Sequence, residues 1–463
     1  MKKVITYGTY DLLHFGHIRL LKRAKALGDY LIVGVTSDDF DKSRGKINVQ
    51  QSLMERVAAV KATGIADEII VEEYEGQKID DIRKHNVDIF TVGSDWIGKF
   101  DYLNEYCEVV YLSRTEGVSS SELREQKNEL KFGLVGESTL LNKIGNECSF
   151  VNGIRVTAVY TKNKSLLTEQ FATIAEKDSN YDTMLSKVDA VYIVSHPSKH
   201  YDHIKKALQQ KKHVICESPI TLDSEQTKEL FRIAEEKECV LMEGIKTAFS
   251  TAYTRLVLLA KSGKIGKIVS VDSTCTSLVN YSAIEEQNRK DVWNSICAWG
   301  PAAMLPVFQL LGTNYSSKHI ISSFADKKQT FDNFTKIEFV YPDSVATIKV
   351  GKGIKSEGEL IISGTKGYIY VPAPWWKTDY FEIRYENPAD NKRYFYQLDG
   401  EGIRYELVTF LKSIEFKKNL SYISSAVTEG IADVIADFES RTRACLINRN
   451  RLYHFNKITI EAI

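Results

Sequence analysis

Short apolar runs recur through the first 126 residues, and each is bounded by glycine or polar residues. The runs are KVITYG, DYLIVGVTS, DEIIVEE, VDIFTVGSD and CEVVYL. Between them, segments such as IRLLKRAKAL and LMERVAAVKAT carry apolar residues at helical spacing. Strands that alternate with helices predict a parallel, doubly wound sheet. We expect ligands to bind at the carboxyl ends of its strands.

The same rhythm restarts after a polar stretch, LREQKNELK, at 123–131. The strand-like runs KFGLVG, RVTAVYTK, VDAVYIVSHP, KHVICESP and CVLMEGI then predict a second βαβ series. After about residue 265 the strands follow at turn-like spacing, closer to a meander, and helical patterns occur at 299–311 and 403–438. We therefore expect an α/β protein with a doubly wound domain at 1–127, a Rossmann-like domain at 131–250 and an α+β open-faced sheet domain at 251–463.

Composition excludes several classes of protein. A chain of 463 residues exceeds one ordinary core. The 61 basic and 61 acidic residues cancel, so a general nucleic-acid surface, which needs a basic footprint, is not expected. The seven cysteines include no C-x-x-C pair, which argues against a disulfide framework and a structural zinc site. The start of the chain resembles a strand rather than a signal peptide. No run of about 18 apolar residues suggests a membrane span, and we expect a cytoplasmic protein.

Two histidines flank the first predicted helix start, in YGTYDLLHFGHIRLLKRAK. His14 and His17 are three residues apart, so both imidazoles can lie on one side of the first turn. Gly16 leaves room for a phosphate, and a helix N-terminus attracts anions. Phosphoryl transfer depends on positioning and on stabilising negative charge, so the motif predicts such a site. The alternative is that both histidines are ordinary surface residues.

Three motifs occur in order: GTYDLLHFGH with the helix after it, VGSDWIGKFDYL, and VVYLSRTEGVSSSELRE. Together they resemble the glycerol-3-phosphate cytidylyltransferase family over the first 126 residues. That family joins CTP to a polyol phosphate, releases pyrophosphate and makes a CDP-alditol for wall or capsule polymers. The resemblance implies a nucleotidyltransferase-type fold for residues 1–127 and Mg²⁺ as a cofactor.

The resemblance also implies roles for individual residues. His14 and His17 would brace the α-phosphate of CTP, and Lys46 would reach over the triphosphate. The remaining implied contacts are a nucleotide loop of Gly8, Thr9, Tyr10 and Asp11, with Asp11 oriented toward magnesium; Arg114, Thr115, Ser119 and Ser120 for the β- and γ-phosphates; Asp95 and Trp96 for the base or the acceptor; and Arg56 for a phosphate.

Some positions depart from the family pattern. Gly64 stands where the family often carries a second arginine, and Tyr74 stands near a usual tryptophan. Recognition of the acceptor is therefore open. For Arg56, the alternative is a solvated charge on a helix.

The second half resembles the Gfo/Idh/MocA oxidoreductases over residues 131–463, in VDAVYIVSHPSKHYDHIKKALQQKKHVICESPITL and again in YELVTFLKSIEFKKNLSYISSAVTEGIADVI. The resemblance implies a nicotinamide-binding Rossmann domain, an open-faced sheet and chemistry on sugars or polyols. The G-x-G-x-x-G turn expected for NAD(P) is degenerate, with Gly136, Ser138 and Leu141 at its three positions. The acidic residue expected after the second strand falls near Thr161, beside Lys162.

The catalytic signature of that family is also altered. Of its E-K-P motif, Glu217 and Pro219 remain, but Ser218 replaces the lysine. Three further alanines, Ala248, Ala298 and Ala302, replace an arginine, an aspartate and a histidine, and alanine cannot transfer a proton. The second half is therefore predicted to be a scaffold, a dimerising domain or a ligand sensor. The alternative is an active NAD(P)-dependent reductase that has recruited Lys246 or His200. A homodimer is expected by analogy.

Overall fold

The computed structural model describes residues 1–11, 13, 15–43, 49, 51–74, 76–113, 129–151, 153–175, 180–281, 284, 292–326, 329–396, 398–440 and 444–446. The chain divides into two compact units. The first comprises Met1–Glu129 with Phe150–Ile154, and the second comprises Leu130–Ser149 with Arg155–Ile463. The second unit holds most of a parallel sheet and a larger mixed sheet, so residue 250, where a domain boundary is predicted, lies inside it.

The first unit is built on a five-stranded parallel sheet in the order β3-β2-β1-β4-β5. Its strands are β1 Lys3–Gly8, β2 Tyr30–Thr36, β3 Glu68–Glu72, β4 Ile89–Gly93 and β5 Glu108–Leu112. Its helices are α1 Phe15–Lys25, α2 Asp38–Ser43, α3 Leu53–Ala62 and α4 Gln77–His85. The predicted doubly wound sheet is confirmed.

Both faces of this sheet are covered, as expected for parallel strands. Val4 belongs to one hydrophobic cluster and its neighbour Ile5 to another, because successive side chains of a strand point to opposite faces. The strand order reverses between β1 and β4, which pair in parallel with Thr6 opposite Thr91. This is the topological switch point, where sheets of this kind bind ligands.

The second parallel sheet has the order β10-β9-β8-β6-β7, so its switch point lies between β6 and β8. Its strands are β6 Leu130–Gly136, β7 Ile154–Tyr160, β8 Ala190–Val194, β9 His213–Glu217 and β10 Leu241–Gly244. The helices along this part of the chain are α5 Leu140–Cys148, α6 Glu169–Ala175, α7 Tyr181–Leu185, α8 His200–Gln209 and α9 Ser224–Glu236. The predicted βαβ series is confirmed.

A mixed sheet of nine strands follows, in the order β18-β17-β16-β15-β11-β14-β13-β12-β19. Its strands are β11 Ile268–Thr276, β12 Ser317–Phe324, β13 Asp332–Val340, β14 Val345–Gly351, β15 Leu360–Gly364, β16 Tyr368–Val371, β17 Tyr380–Arg384, β18 Lys392–Phe395 and β19 Ala444–Leu446. The accompanying helices are α10 Thr251–Lys261, α11 Ser295–Leu311, α12 Ile403–Glu415 and α13 Ser425–Ser440.

Two details of this region differ from the sequence expectation. The strands do not form one meander, because β11 lies between β14 and β15 and pairs in parallel with β14. Burial decides this position, since Val271 and Cys275 of β11 are fully buried, and spacing along the chain does not encode which strands pair. The helical pattern at 403–438 is two helices rather than one, with Lys417 in the left-handed region just after α12. In the described part of the chain, no helix has the length and apolar character needed to cross a membrane.

Candidate functional site

The loop after β1 holds His17 at the switch point of the first unit. Tyr10 adopts a left-handed backbone conformation (φ 54°) and turns its ring back over Gly8, where a Cβ would come within 3.0 Å of that ring. The same ring meets the imidazole of His17 edge-on, with centroids 5.6 Å apart. Tyr10 is only 2% exposed, so it packs behind His17 instead of facing a nucleotide. The expected nucleotide loop is therefore partly a core element that orients the histidine.

Arg56 fixes the backbone around this loop. Its guanidinium is completely buried and donates to three backbone carbonyls. Nη1 lies 2.7 Å from the oxygen of Thr9 and 2.8 Å from that of Thr36, and Nε lies 3.1 Å from the oxygen of Gln51. One side chain thereby joins the ends of β1 and β2 to the segment that precedes α3.

Two carboxylates of α2 complete the surroundings of Arg56. Its Nη2 donates to Asp38 at 2.5 Å, and its Nη1 lies 3.4 Å from Asp41. Asp41 also accepts a hydrogen bond from the hydroxyl of Thr9 at 2.9 Å. Of the two sequence expectations for Arg56, its complete burial excludes a solvated charge, and contact with a phosphate stays a prediction. Its donors are occupied by protein acceptors, so its place favours a role in positioning the loop.

Asp11 is 5% exposed and accepts a hydrogen bond from the backbone N–H of Gln51 at 3.0 Å. Among the described residues, no group of three or more histidine, cysteine, aspartate or glutamate side chains could hold a metal ion. These residues do not form a magnesium cage made by protein alone. Mg²⁺ that binds with a nucleotide is commonly held by phosphate oxygens, water and one or two carboxylates.

Trp96 lies on the other side of the switch point. A 3-10 turn, Ser94–Trp96, directly follows β4, and the Trp96 ring contacts Phe100 at 5.8 Å between centroids. The ammonium group of Lys99 lies 5.1 Å from the centre of the indole. Because β1 and β4 are adjacent and parallel, their carboxyl ends flank one crevice. Trp96 and the loop that supports His17 therefore lie at the same edge of the sheet, the one predicted from the sequence.

The other predicted site residues divide into one that the structure describes and several that it does not. Gly16 lies in the first turn of α1, as the motif predicts. Outside the described residues lie His14, Lys46, Arg114, Thr115, Ser119 and Ser120, together with the side chain of Asp95.

A polar cluster at the same edge of the sheet has no counterpart in the sequence analysis. Lys78 forms a buried ion pair with Glu72, at the end of β3, and lies 4.8 Å from the ring centre of Tyr7. The hydroxyl of Tyr7 donates to Asp81 at 2.9 Å, and burial raises the pKa of this tyrosine. No motif connects these positions, because Tyr7, Glu72 and the α4 pair Lys78 and Asp81 come from three separate elements. The cluster places a lysine near the carboxyl ends of β1–β3.

The second unit contains a cavity of about 340 Å³ at the switch point between β6 and β8. Ligand sites commonly have volumes of about 300–1,000 Å³. The cavity is lined by Glu137, Ser138, Leu140, Val194, His196, Glu217, Val292, Trp293, Ala298 and Lys352. The position agrees with the rule that doubly wound sheets bind ligands at this point.

The start of α5 keeps part of a dinucleotide cradle. Gly136 has φ 143°, and a Cβ there would come within 2.6 Å of the backbone of Val194, so this first glycine is required. At the second glycine position, the hydroxyl of Ser138 accepts a hydrogen bond from the N–H of Leu140 at 3.2 Å and occupies a donor that could face a phosphate. Leu141, at the third, is fully buried. The turn can therefore accept a dinucleotide phosphate, but it offers one backbone N–H donor fewer than an intact G-x-G-x-x-G turn, because the N–H of Leu140 is occupied.

Other positions near this turn also lack the usual contacts. The hydroxyl of Thr161 accepts a hydrogen bond from the N–H of Asn163 at 3.1 Å, so it caps its own turn. Glu137 brings a negative charge to the cavity, and Lys199 lies 3.7 Å from it. The residues present can hold a dinucleotide, but they bind its phosphates more weakly than an intact glycine motif would.

Ser218 does not take the place of the missing lysine. It is 6% exposed and donates its hydroxyl proton to Glu243 instead of lining the cavity. His200 is fully buried, with its ring nitrogens 2.8 Å and 2.6 Å from the carbonyls of Pro219 and Ser195, and burial lowers its pKa to about 4. It has a structural position and cannot serve as the recruited base.

Lys246 is bound to a different partner. Its ammonium group lies 3.0 Å from a carboxylate oxygen of Glu401, which Lys143 and Lys377 also contact. Neither candidate named from the sequence, His200 nor Lys246, lines the cavity.

Glu217 lines the cavity, and the sequence analysis did not identify the two residues that connect it to the interior, Tyr192 and Glu406. The hydroxyl of Tyr192, on β8, lies 3.2 Å from one oxygen of Glu217 and 2.5 Å from one oxygen of Glu406, on α12. Tyr192 is 1% exposed and Glu406 is completely buried. Burial raises the pKa of Glu217 to about 7 and that of Glu406 to about 8. A glutamate in the apolar pattern of YELVTFL is the one sequence signal that could have drawn attention to Glu406.

Two family descriptions match this chain. Residues 5–126 match one described as Cytidylyltransferase-like, and residues 130–245 match the Oxidoreductase family with an NAD-binding Rossmann fold.

Cytidylyltransferases are among the relatives by sequence, and each of the three described next covers about a quarter of this chain. A glycerol-3-phosphate cytidylyltransferase of Bacillus spizizenii is 49% identical over 130 residues, which are 28% of this chain and 100% of that protein. The protein of the same name from Bacillus subtilis is 51% identical over 126 residues, 27% of this chain and 97% of that protein. An ethanolamine-phosphate cytidylyltransferase of Mus musculus is 35% identical over 123 residues, 25% of this chain and 30% of that protein.

The similar solved structures match the second part in fold alone. KijD10, a 3-ketoreductase from Actinomadura kijaniata solved with NADP and TDP-benzene, superposes with a TM-score of 0.60 at 17% identity, covering 69% of this chain and 99% of that one. The UDP-N-acetylglucosamine 3-dehydrogenase GnnA from Acidithiobacillus ferrooxidans gives 0.56 at 16% identity, covering 68% and 98%. Both resemblances stated from the sequence are confirmed.

Proposed function

Because this chain belongs to the glycerol-3-phosphate cytidylyltransferase family through its first 126 residues, we propose that it joins CTP to a small polyol phosphate and releases pyrophosphate and a CDP-alditol. The membership makes the chain a nucleotidyltransferase. The polyol phosphate is proposed to resemble glycerol 3-phosphate, which appears in the names of the relatives. A CDP-alditol of this kind would supply the synthesis of wall or capsule polymers.

The single observation that carries this proposal is the placement of His17 in the first turn of α1, at the switch point of a sheet whose family is known. The helix start supplies positive potential for phosphate groups. His17, held by the ring of Tyr10, is proposed to stabilise the charge that develops on the α-phosphate as the acceptor attacks. His14, three residues earlier in the motif, is proposed to act with it. Such stabilisation is the largest catalytic term in many phosphoryl transfers.

The rigid frame of the loop supports this role. Arg56 and the carboxylates of α2 fix the backbone of Thr9 and Thr36, so the site is organised before the substrate enters. Preorganised groups stabilise a transition state without a reorganisation cost. Magnesium is expected to accompany the nucleotide, and no step of the proposal is assigned to it.

The acceptor is proposed to enter beside Lys78. Its phosphate needs a cation, and this lysine lies near the carboxyl ends of β1–β3, where an entering phosphate would compete with Glu72 for its buried ammonium group. Gly64 and Tyr74 stand where relatives carry other residues, so the polyol is the part of the proposal that most needs an experiment.

The test is pyrophosphate release by the full chain with CTP and a panel of acceptors: glycerol 3-phosphate, glycerol 2-phosphate, ribitol 5-phosphate and ethanolamine phosphate. We expect one polyol phosphate to give the highest kcat/KM and ethanolamine phosphate to give little product. ATP and GTP serve as matched nucleotide controls. No CTP-dependent release with any phosphate acceptor would contradict the proposal.

For the second half, the family description identifies an oxidoreductase domain with an NAD-binding Rossmann fold. We propose that it still binds NAD(P), because Gly136 and the start of α5 keep the cradle at the cavity. A non-catalytic role in ligand sensing or dimerisation is the alternative. A homodimer and a cytoplasmic location stay predictions, which sedimentation and fractionation would check.

A further inference from the structure

The cavity of the second unit lacks the expected source of a proton. Reduction of a carbonyl needs a proton on the developing alkoxide, and a positioned side chain supplies it most efficiently. Ser218 is turned away toward Glu243, and the cavity wall has Ala298 where an acid or base is expected. The acidic or basic side chains that do line the cavity are Glu137, His196, Glu217 and Lys352. Lys352 donates to the carbonyl of Trp293 at 2.8 Å.

Glu217 differs from the other three because a chain of polar groups connects it to the interior. The phenolic oxygen of Tyr192 lies within hydrogen-bond distance of both Glu217 and Glu406, but a phenol carries one proton. Tyr192 donates that proton to Glu406, at the shorter distance of 2.5 Å. The contact with Glu217, at 3.2 Å, is then a hydrogen bond only if the carboxyl group of Glu217 is itself protonated and donates.

The electrostatics around this chain also favour a bound proton. Glu406 is completely buried, and its second oxygen has no hydrogen-bond partner in the part of the chain that the structure describes. Glu217 is partly buried and Glu406 completely so; negative charges on two carboxylates that meet at one hydroxyl repel each other, and burial disfavours the charge of Glu406. Lys246 offers opposite charge to both, although it is bound to Glu401, and Glu243 adds a further negative group from β10. These interactions keep one carboxyl group of the pair neutral near physiological pH.

We propose that Glu217 is the proton donor of a carbonyl reduction in this cavity, with Tyr192 and Glu406 as the relay that returns its proton. The substrate class is a small polyhydroxy ketone or aldehyde, because the cavity has several polar side chains in its wall and must also hold the nicotinamide end of the dinucleotide. Nothing in the E-K-P pattern assigns this role, which that pattern gives to the residue that is Ser218 here.

The step balances as follows in atoms and electrons. Gly136 and the start of α5 would hold a reduced nicotinamide dinucleotide, which would supply the hydride to the carbonyl carbon and be oxidised. The O–H bond of Glu217 breaks, and its proton goes to the carbonyl oxygen, which becomes a hydroxyl. Tyr192 then donates its phenolic proton to Glu217 and takes up a proton that enters from solvent through Glu406 on opening of the network, so the two carboxyl groups again share one proton. Glu217 is the catalytic residue, and Tyr192 and Glu406 are positioning residues.

The first experiment needs no substrate. Infrared difference spectra of the full chain between pH 6 and pH 9 should show the C=O band of a protonated carboxylic acid that disappears as pH rises. We expect Glu217→Gln to remove or displace a component of this band and Glu243→Gln to leave that component in place, because Glu243 is a buried carboxyl outside the relay. A Glu217 that is ionised throughout this pH range would overturn the proposal.

The second experiment measures turnover. The full chain is mixed with NADPH or NADH and with dihydroxyacetone, dihydroxyacetone phosphate, glyceraldehyde or ribulose 5-phosphate, and cofactor oxidation is followed. For whichever compound is reduced, Glu217→Gln should lower kcat by about 10²–10⁴-fold with little change in KM. Tyr192→Phe should lower kcat less and shift the alkaline limb of the pH profile, which loss of structure alone would not do.

CTP-dependent pyrophosphate release by the same preparations reports on the first unit separately, so failure of either proposal is distinguishable from failure of the other. Retained release together with lost reduction in Glu217→Gln supports the relay. Reduction that is unchanged in Glu217→Gln, or no oxidation of either cofactor by wild-type chain with any of the four compounds, overturns it.

Discussion

The two units place their candidate chemistry at the same structural position and assemble it differently. In each, the site lies at the carboxyl ends of parallel strands where the strand order reverses. In the first unit, the loop and helix start from Gly8 to His17 come from one continuous stretch of ten residues. In the second, Tyr192, Glu217 and Glu406 come from a strand centre, a strand end and a helix 189 residues further along. A motif search therefore finds the first site and overlooks the second.

The two sites also manage buried charge in different ways. In the first unit, the buried guanidinium of Arg56 is compensated by Asp38, Asp41 and backbone carbonyls, so charges remain and are paired. In the second, the carboxyl groups of Glu217 and Glu406 both lie within hydrogen-bond distance of the Tyr192 hydroxyl, and the proton proposed for Glu217 would reduce their repulsion. Paired charges give a rigid frame that depends little on pH near neutrality, whereas a shared proton makes its surroundings sensitive to pH.

Breaking the charge pairing of the first unit is expected to have the largest effect. Arg56→Met leaves Asp41 buried without its cation and three backbone carbonyls without a donor. We expect the free energy of unfolding of the first unit to fall by about 3–5 kcal/mol, measured by urea denaturation with circular dichroism. Lys61→Met, an exposed change on the same helix, is the control and should stay within about 0.5 kcal/mol. Equal stability of the two variants would show that Arg56 is not part of the frame.

His17→Ala tests whether the continuous motif carries the chemistry. We expect kcat for CTP-dependent pyrophosphate release to fall by about 10²–10³-fold, because one stabilising group is removed from the developing phosphate charge. The stability of the first unit should change little by comparison with Arg56→Met. His85→Ala, at the end of α4, is the matched control and should retain activity. An unchanged kcat in His17→Ala would remove this histidine from the site.

The shared proton of the second unit predicts a pH effect with a definite sign. Glu217 and Glu406 have pKa values of about 7 and about 8 in the folded chain, above the ordinary value for glutamate. The folded state therefore holds protons that the unfolded state has lost above about pH 5, and stability decreases as pH rises from there to about 8. For one shared proton, a window of about three pH units at about 1.4 kcal/mol per unit corresponds to an expected loss of about 4 kcal/mol.

Tryptophan fluorescence suits this measurement, since four of the five tryptophans, all but Trp96, belong to the second unit. Glu406→Gln cannot ionise and should flatten the dependence of unfolding on pH. If unfolding of Glu406→Gln depends on pH as steeply as unfolding of the wild type, the proton belongs to another group. Asp332 is one such group, because burial raises its pKa to about 7.

The smallest effect concerns the degenerate dinucleotide turn. Ser138→Gly frees the N–H of Leu140 from the serine hydroxyl and removes a Cβ beside the phosphate position. We expect NADPH to bind about 5-fold more tightly, which corresponds to one net hydrogen bond of about 1 kcal/mol. Titration of nicotinamide fluorescence measures this, with Ser149→Gly at the other end of α5 as the control. Weaker NADPH binding by Ser138→Gly would mean that the serine side chain itself contributes to binding of the dinucleotide.

Local features of the sequence predicted a large part of this protein. Apolar runs gave the parallel strands of both doubly wound sheets, and the position of His17 after β1 identified the edge where ligands bind. These features are readable because strand and helix periods, glycine turns and helix starts depend on residues that are neighbours in the chain. The replacement of the E-K-P lysine by Ser218 was also visible, and with it the need for another proton donor.

Other features needed the tertiary structure. The sequence did not show that Arg56 is a buried residue that holds the loop backbone, that β11 pairs with β14, or that His200 is enclosed between two carbonyls. The link from Glu217 through Tyr192 to Glu406 joins residues up to 214 positions apart. Such contacts depend on which distant surfaces the fold brings together and on how completely it excludes water. A pKa near neutrality for a glutamate follows from that exclusion, and no short stretch of sequence contains it.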